Sequence, residues 1–271
     1  MKVISFNTNG IRARLHQLEE LINKHQPDVI GIQETKVMDE NFPIQAIKEL
    51  GYHAYFYGQK SHYGVALLSK QPLNNVTKGL PQEPEDAQRR MISGQIELTN
   101  GQTLTVLNGY FPQGESCHHE VKFPYKRQFY KNLHQHLQED YASDDLIIVM
   151  GDFNICPEDI DIGIGDQNAK RWIKNGSASF LPEEREWYQN IQNWGLYDSY
   201  RKFFGDSTAF YSWFDYRSRG FDREPRRGLR IDHILATAPT LEYCTDAGID
   251  YDIRSMEKPS DHCPVWAEFK L

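Results

Sequence analysis

Leu146-Ile147-Ile148-Val149-Met150-Gly151-Asp152-Phe153-Asn154 is the stretch whose reading decides the fold. Its leading apolar run, rich in Ile and Val, is too short for a buried helix and predicts a central strand covered on both faces. Gly151 then lets the backbone turn. Asp152 and Asn154 leave the strand end carrying a carboxylate and a carboxamide, mounted on the edge of a rigid sheet where chemistry is commonly placed. Asp and Asn after a strand also serve simply as turn formers, so the stretch takes its meaning from what the rest of the chain repeats.

What recurs is a strand that ends in a polar residue. Val3 to Phe6 leads to Asn7, Asp28 to Gln33 leads to Glu34, and Leu104 to Leu107 leads to Asn108 and Tyr110. Leu229-Arg230-Ile231-Asp232-His233-Ile234-Leu235 carries Asp232, and Ser260-Asp261-His262 stands just before the alternating run Val265 to Phe269. Between these strands, Ile11, Leu15, Leu18, Leu21 and Ile22 make one helical stripe ended by Pro27, and Phe129, Leu133 and Leu137 make another. Continuous and alternating strands with helices interspersed predict two packed sheets covered by helices, an α/β or α+β fold. The 271 residues contain no repeat, low-complexity tract or linker, so a single domain over 1–271 is expected.

With 39% hydrophobic and 25% charged residues, the chain has ample material for a core. No window approaches the roughly 18 apolar residues of a membrane span, and the N-terminal stretch has no apolar signal core, so a cytoplasmic location is expected. Cys117, Cys156, Cys244 and Cys263 contain no C-x-x-C pair and indicate neither a disulfide framework nor a zinc site. A net charge of -8 works against a polyanionic partner unless a local basic surface meets it. Such a surface is expected between Arg217 and Arg230, where arginines 217, 219, 223, 226, 227 and 230 stand against Asp222 and Glu224, directly after Phe210-Tyr211-Ser212-Trp213-Phe214-Asp215-Tyr216. Aromatics beside guanidinium groups suit a phosphate backbone with an exposed base or sugar. Lys122, Lys126, Arg127, Arg89 and Arg90 are further candidates for phosphate contact.

If the strand ends meet, Asn7, Glu34, Tyr110, Asp152, Asn154, Asp232, Asp261 and His262 share one pocket. Carboxylates so placed repel one another, and a divalent cation relieves the repulsion; hard oxygen donors without cysteine suit magnesium or manganese. Asp232 beside His262 would fix the ring's tautomer and favour its charged form. Other chemistries lack their motifs. Gly163-Ile164-Gly165 is not a dinucleotide fingerprint, because Asn168 stands where the third glycine belongs, and neither a P-loop nor a G-x-S-x-G elbow occurs. Cys117-His118-His119 sits in a polar loop without a partner pair.

Gln33-Glu34-Thr35-Lys36, Gly109-Tyr110-Phe111-Pro112-Gln113-Gly114, Gly151-Asp152-Phe153-Asn154, Leu229-Arg230-Ile231-Asp232 and Ser260-Asp261-His262, in this order, resemble the signatures of the exonuclease III class of apurinic/apyrimidinic endonucleases. The resemblance runs from end to end, through Phe180-Leu181-Pro182-Glu183-Glu184-Arg185-Glu186-Trp187 and Trp213-Phe214-Asp215-Tyr216-Arg217-Ser218. It implies a four-layer sandwich of two packed mixed β-sheets flanked by helices, of the deoxyribonuclease I-like type. It also implies a monomeric, metal-dependent phosphodiesterase acting on double-stranded DNA at abasic sites and 3′ ends, using Mg2+ with Mn2+ able to substitute.

By the same resemblance Glu34 is the main metal ligand, with Asn7 and Asp261 close by. Asp152 activates the attacking water and Asn154 orients it, both near the metal. His262, held by Asp232, contacts the scissile phosphate, and Tyr110 supports the phosphate or leaving group. Trp213, with Phe214 beside it, matches an aromatic lining an abasic-sugar pocket, and Arg90 and Lys122 match positions near the DNA backbone, where the basic run itself places Arg217, Arg226 and Arg227 as further expected contacts. His233, where an apolar residue is the pattern, and the length of the basic run Arg223 to Arg227 are departures. A phosphatase of lipid or small-molecule phosphates on the same fold is the alternative that would need neither Trp213 nor the arginine run. A catalytically silent DNA-binding module would need no intact set of Glu34, Asp152, Asn154, Asp232 and His262.

Overall fold

Ile147–Asp152 form a strand buried along its whole length, as a continuous apolar run requires. It pairs in parallel with Thr103–Tyr110 and antiparallel with Asp232–Thr237. The computed structural model describes residues 1–205 and 210–271. Numbered in chain order, the strands are β1 (Lys2–Asn7), β2 (Val29–Gln33), β3 (His53–Tyr57), β4 (Val65–Ser69), β5 (Asn74–Lys78), β6 (Met91–Glu97), β7 (Thr103–Tyr110), β8 (Ile147–Asp152), β9 (Leu196–Asp198), β10 (Asp232–Thr237), β11 (Cys244–Ile249) and β12 (Val265–Phe269). The helices are α1 (Leu15–His25), α2 (Ile44–Glu49), α3 (Lys122–Asp140), α4 (Asp166–Lys174), α5 (Pro182–Trp194), α6 (Ser199–Phe204), α7 (Ala238–Glu242) and α8 (Tyr251–Arg254).

The strands form two sheets, ordered β11-β12-β1-β2-β4-β3 and β5-β6-β7-β8-β10-β9. Because side chains alternate along a strand, each sheet has an inner and an outer apolar face. Val3, Val29, Val65 and Leu67 of the first sheet meet Val106, Ile148, Met150 and Ile234 of the second. Outward, Ile4, Phe6, Ile30 and Ile32 pack on Leu18, Leu21 and Ile22 of α1 and Ile253 of α8. On the opposite side Leu107, Ile147, Val149 and Leu235 pack on Phe129, Leu133 and Leu137 of α3 and on Tyr188 and Ile191 of α5. The four-layer sandwich expected from the sequence is thus observed. Truncating Ile148, fully buried between the sheets, to Ala removes a methylene cluster from a closed interface and should cost about 2–5 kcal/mol.

The apolar stripe beginning at Ile11 is split. Ile11–Ala13 make a separate 3-10 turn, and α1 starts at Leu15 and ends before Gln26, which turns left-handed at φ 47 ahead of Pro27. The phenyl and leucyl stripe of α3 lies where its period placed it.

Toward one edge of the sandwich the inner core changes from apolar to polar. Asn108 donates from Nδ2 to the carbonyls of Ile32 and Ala66, both at 3.0 Å, and its Oδ1 accepts from Gln33 Nε2 at 2.5 Å. One side chain of β7 thereby satisfies backbone of the other sheet. Space for it exists because residue 31 is glycine: a Cβ there would lie 2.6 Å from Asn108 Oδ1. At the end of β8, Gly151 adopts φ +149, and an added Cβ would come within 1.9 Å of the Gly109 carbonyl oxygen, so only glycine lets the strand approach its neighbour just before Asp152.

Candidate active site

Six strand ends meet at this polar edge. β1 ends in Asn7, β2 is followed by Glu34, β7 ends in Tyr110 and β8 in Asp152; the reversed strands β10 and β12 begin at Asp232 and just after Asp261-His262. Register fixes the lateral order, with Asp152 opposite Tyr110 on one side and opposite Asp232 on the other. The first sheet therefore supplies Asn7, Glu34, Asp261 and His262, and the second supplies Tyr110, Asp152 and Asp232. The convergence that the sequence posed as a condition is met.

Asn7 joins the two sheets, its Nδ2 donating to Glu34 Oε1 and to Asp152 Oδ2, each at 2.9 Å. His262 Nδ1 stands 2.9 Å from Asp232 Oδ2, and its Nε2 lies 3.8 Å from Asp152 Oδ2. The expected Asp232–His262 pair is present. Asp152 Oδ1 accepts the Asn154 amide at 3.0 Å, while Asn154 Nδ2 donates to the Phe111 carbonyl at 3.0 Å. These bonds hold Asn154 left-handed at φ 53, and Glu34 is left-handed at φ 51. Non-glycine residues in that region cost of order 1 kcal/mol or more and persist only where the surroundings impose them.

Charge at the site is unbalanced. Burial drives the Asp152 carboxyl upward; His262 opposes this, but Asp232 and Glu34 add to it, leaving its pKa well above the usual carboxylate range. Burial would lower the pKa of His262, yet Asp232 and then Asp152 outweigh it and hold the ring in its charged form near neutral pH. Burial, and next the charge of Glu34, push Tyr110 well above its ordinary value, so its phenol keeps its proton and can donate.

Glu34 and Asp152 bring carboxylate oxygens within 4.8 Å of one another and of His262, whose charged ring faces the same point without a free lone pair. Carboxylates crowded together repel one another, a setting that a hard divalent cation relieves, and oxygen donors dominate this set, so the residues fit such an ion. Asp261 lines the same cavity as these residues, its Oδ1 accepting from Asn9 Nδ2 at 2.8 Å and its Oδ2 from Trp213 Nε1 at 3.0 Å. Trp213 in turn walls this cavity of about 140 Å³, lined also by Glu34, Tyr110, Asp152, Trp172 and His262. Trp172 and Trp213 also border a neighbouring cavity of about 180 Å³ that holds Arg171, Arg223 and Arg227.

The sequence pattern of the endonuclease/exonuclease/phosphatase family matches residues 4–262, which include every residue of this cluster. This chain belongs to that family. It is 57% identical over 270 residues to exodeoxyribonuclease III of Haemophilus influenzae, with all of both chains covered. A Neisseria 3′ phosphatase solved with a product DNA hairpin superimposes with a TM-score of 0.90 at 35% identity, and so does an AP endonuclease from Archaeoglobus fulgidus, each over 100% of both chains.

Several residues expected at the DNA surface of this family member lie elsewhere. Phe214 is completely buried and packs edge-on against Phe221 and Tyr251, so its ring is part of a core and not of a sugar pocket. Trp213 lines the cleft while the next residue, Phe214, faces inward. Arg230 leaves the basic surface altogether, pairing with Asp161 through Nε at 2.6 Å and with Asp198 through Nη1 at 2.7 Å. Its Nη1 also donates to Nδ1 of His233 at 3.1 Å, whose Nε2 meets the Ile155 carbonyl at 3.0 Å, so the unexpected histidine serves this buried network. Lys126 is fully buried, bonded to Glu184 Oε1 at 2.5 Å and to the Asn154 carbonyl at 2.8 Å, a brace behind the Asp152 loop.

Arg90 is also drawn in, with only 5% of its surface exposed. It donates to the Tyr110 carbonyl at 2.9 Å, and its guanidinium lies 4.6 Å from the Tyr110 ring and 4.2 Å from that of Tyr63. It supports Tyr110 from below. Lys122 is exposed and paired with Glu115 Oε2 at 2.6 Å. Arg217, Arg226 and Arg227 are exposed as expected.

Three residues near the site carried no individual signal. Lys36 stands with Nζ 2.8 Å from Glu34 Oε2 and also bonds Asn9, placing a cation beside the proposed ligand. Its place in Gln33-Glu34-Thr35-Lys36 was the available clue. Asn9 is the third residue of Asn7-Thr8-Asn9, and Trp172 is a lone aromatic in a polar helix, a pattern that periodicity cannot interpret.

Proposed function

We propose that this protein is a DNA repair phosphodiesterase that uses a divalent metal, Mg2+ in the first instance, to cut duplex DNA 5′ to abasic sites and to remove nucleotides and blocking groups from 3′ ends. The carrying observation is the meeting of Asp152, Glu34 and the Asp232–His262 pair at one edge of the sandwich, beside a cleft walled by Trp213. Relatives named as exodeoxyribonuclease III, 3′ phosphatase and AP endonuclease support the same reading.

Glu34, with Asp152 and the nearby Asn7, would hold the metal, which supplies a Lewis acid for a phosphate oxygen and offsets developing charge. Asp152 is placed to take a proton from water once a bound cation offsets the burial and neighbouring negative charge that favour its protonated form. Asn154, anchored through its backbone amide to Asp152, keeps Oδ1 for orienting that water. His262, kept charged and aligned by Asp232, presents Nε2 to a phosphate oxygen, and the protonated Tyr110 donates a further hydrogen bond. Incubation with magnesium and a duplex carrying one tetrahydrofuran abasic analogue tests the proposal. Incision at the analogue with shortening from the 3′ end is expected, and an uncut, unshortened duplex would overturn it.

A further inference from the structure

Among the described residues three arginines are buried, and two have conventional acceptors: Arg230 has Asp161 and Asp198, and Arg90 has the Tyr110 carbonyl and Gln88. The third, Arg254 at the end of α8, is 7% exposed, has no acceptor in hydrogen-bond reach, and leaves its Nε buried without a partner. Aromatic rings surround it, with Phe221 at 4.8 Å, Tyr216 at 5.6 Å and Phe214 at 5.9 Å. Such faces attract a cation but supply no hydrogen-bond acceptor in its plane. A guanidinium cannot shed its proton, so a buried one without an anion is expensive.

Arg254 borders a cavity of about 350 Å³ whose wall also includes Tyr216, Arg219, Asp222, Ser255 and Pro259. No residue of that wall belongs to the catalytic cleft. Arg219, held left-handed at φ 53, brings a second guanidinium. Asp222 is the one carboxylate in the wall, and it forms no ion pair with either arginine within 4.0 Å. Two unpaired cations outnumber one carboxylate, and a planar fork with free donors is suited to a tetrahedral oxyanion. The pocket also touches the catalytic segment, since Tyr216 Oη donates to the Pro259 carbonyl at 2.5 Å, two residues before Asp261.

We propose that this cavity is a second phosphate-binding site, with Arg254 and Arg219 as its ligands, taking either a phosphodiester of the DNA backbone or a free phosphate group. Binding here does not depend on the nuclease reading and is measured without turnover. The test is 15N-edited NMR of the Arg254 Nε–H resonance, assigned through its backbone, in metal-free buffer at fixed ionic strength. Inorganic phosphate and an undamaged 12-base-pair duplex are the two probes, with chloride as control. A saturable shift with either probe and none with chloride is expected; a response to phosphate alone assigns the site to a free group, and to duplex alone assigns it to the backbone. Arg219→Ala should weaken the responding interaction several-fold, and Asp222→Asn should tighten it. An Arg254 resonance unmoved by both probes, or moved equally by chloride, overturns the proposal, as would an Asp222→Asn variant that binds more weakly.

Discussion

The imidazole of His262 stands between two aspartates, 2.9 Å from Asp232 through Nδ1 and 3.8 Å from Asp152 through Nε2. The nearer carboxylate comes from the opposite sheet and fixes which ring nitrogen is left for substrate. Asp232→Asn removes that charge while keeping the shape, and should lower turnover by roughly 10²-fold or more. Because the two residues act as a unit, Asp232→Asn combined with His262→Ala should lose little beyond either single change. Single-turnover cleavage of the abasic duplex measures this, and losses that multiply would dissolve the pair.

Asp152→Asn should give a comparable loss in turnover for a different reason, absence of the proton acceptor, with duplex affinity retained. Affinity measured in calcium or EDTA separates the two effects. A variant that cuts at near wild-type rate would remove Asp152 from its assigned role.

Glu34→Gln replaces the carboxylate that faces both Asn7 and Lys36. A neutral amide offsets cation charge poorly, so the magnesium concentration for half-maximal activity should rise, and excess metal should recover part of the rate. An unchanged metal titration would show that Glu34 is not the anchor.

Exposed and buried arginines should separate in a salt titration. Each guanidinium that pairs with a phosphate contributes about 0.9 to the slope of log affinity against log salt, so Arg226→Ala with Arg227→Ala should flatten it by up to about 2. Trp213→Ala should leave the slope alone and erode the preference for abasic over intact duplex, because the cleft wall that suits a base-free sugar is gone. If the arginine variant loses damage preference instead, the division of labour is wrong.

The Arg230 network makes a prediction about acid. Burial alone would raise Asp198 and Asp161, yet Arg230 outweighs it and holds both below the ordinary carboxylate range. Carboxylates with depressed folded-state pKa values add stability that is complete above the unfolded value near pH 4 and is lost as pH falls through the folded one. Urea midpoints should therefore drop steeply below about pH 4. Asp198→Asn should cost roughly 3 kcal/mol at pH 7 by leaving Arg230 underpaired, and should flatten the acid limb. Parallel pH curves for the two proteins would contradict this.

Much of the site was legible because strand ends announce themselves. The runs before Asn7, Glu34, Tyr110 and Asp152 are apolar and short, and each stops at a polar residue. Their meeting was not legible, since it depends on β10 and β12 running opposite to β8 and β1, a matter of topology. Arg230 was misread because its partners Asp161 and Asp198 are distant in sequence, so a run of arginines looked like one surface although those carboxylates draw one of them inward. Phe214 was misread because nothing local shows that Phe221 and Tyr251 pack against its ring. Arg90 and Lys126 show the complementary limit: a long basic side chain can be recruited to brace a loop, and nothing local distinguishes that from a solvated one.

Asn7 reaching from one sheet to Asp152 on the other has a consequence for the timing of activity. Asp152, Asp232 and Tyr110 lie on one half of the sandwich and are complete once that sheet has formed, but they are inert without Glu34 and His262 from the other half. His262 stands just before β12, which pairs with β1 on one side and β11 on the other. Neither sheet alone therefore holds a complete DNA-cutting tool, and arming it is the same event as closing the fold.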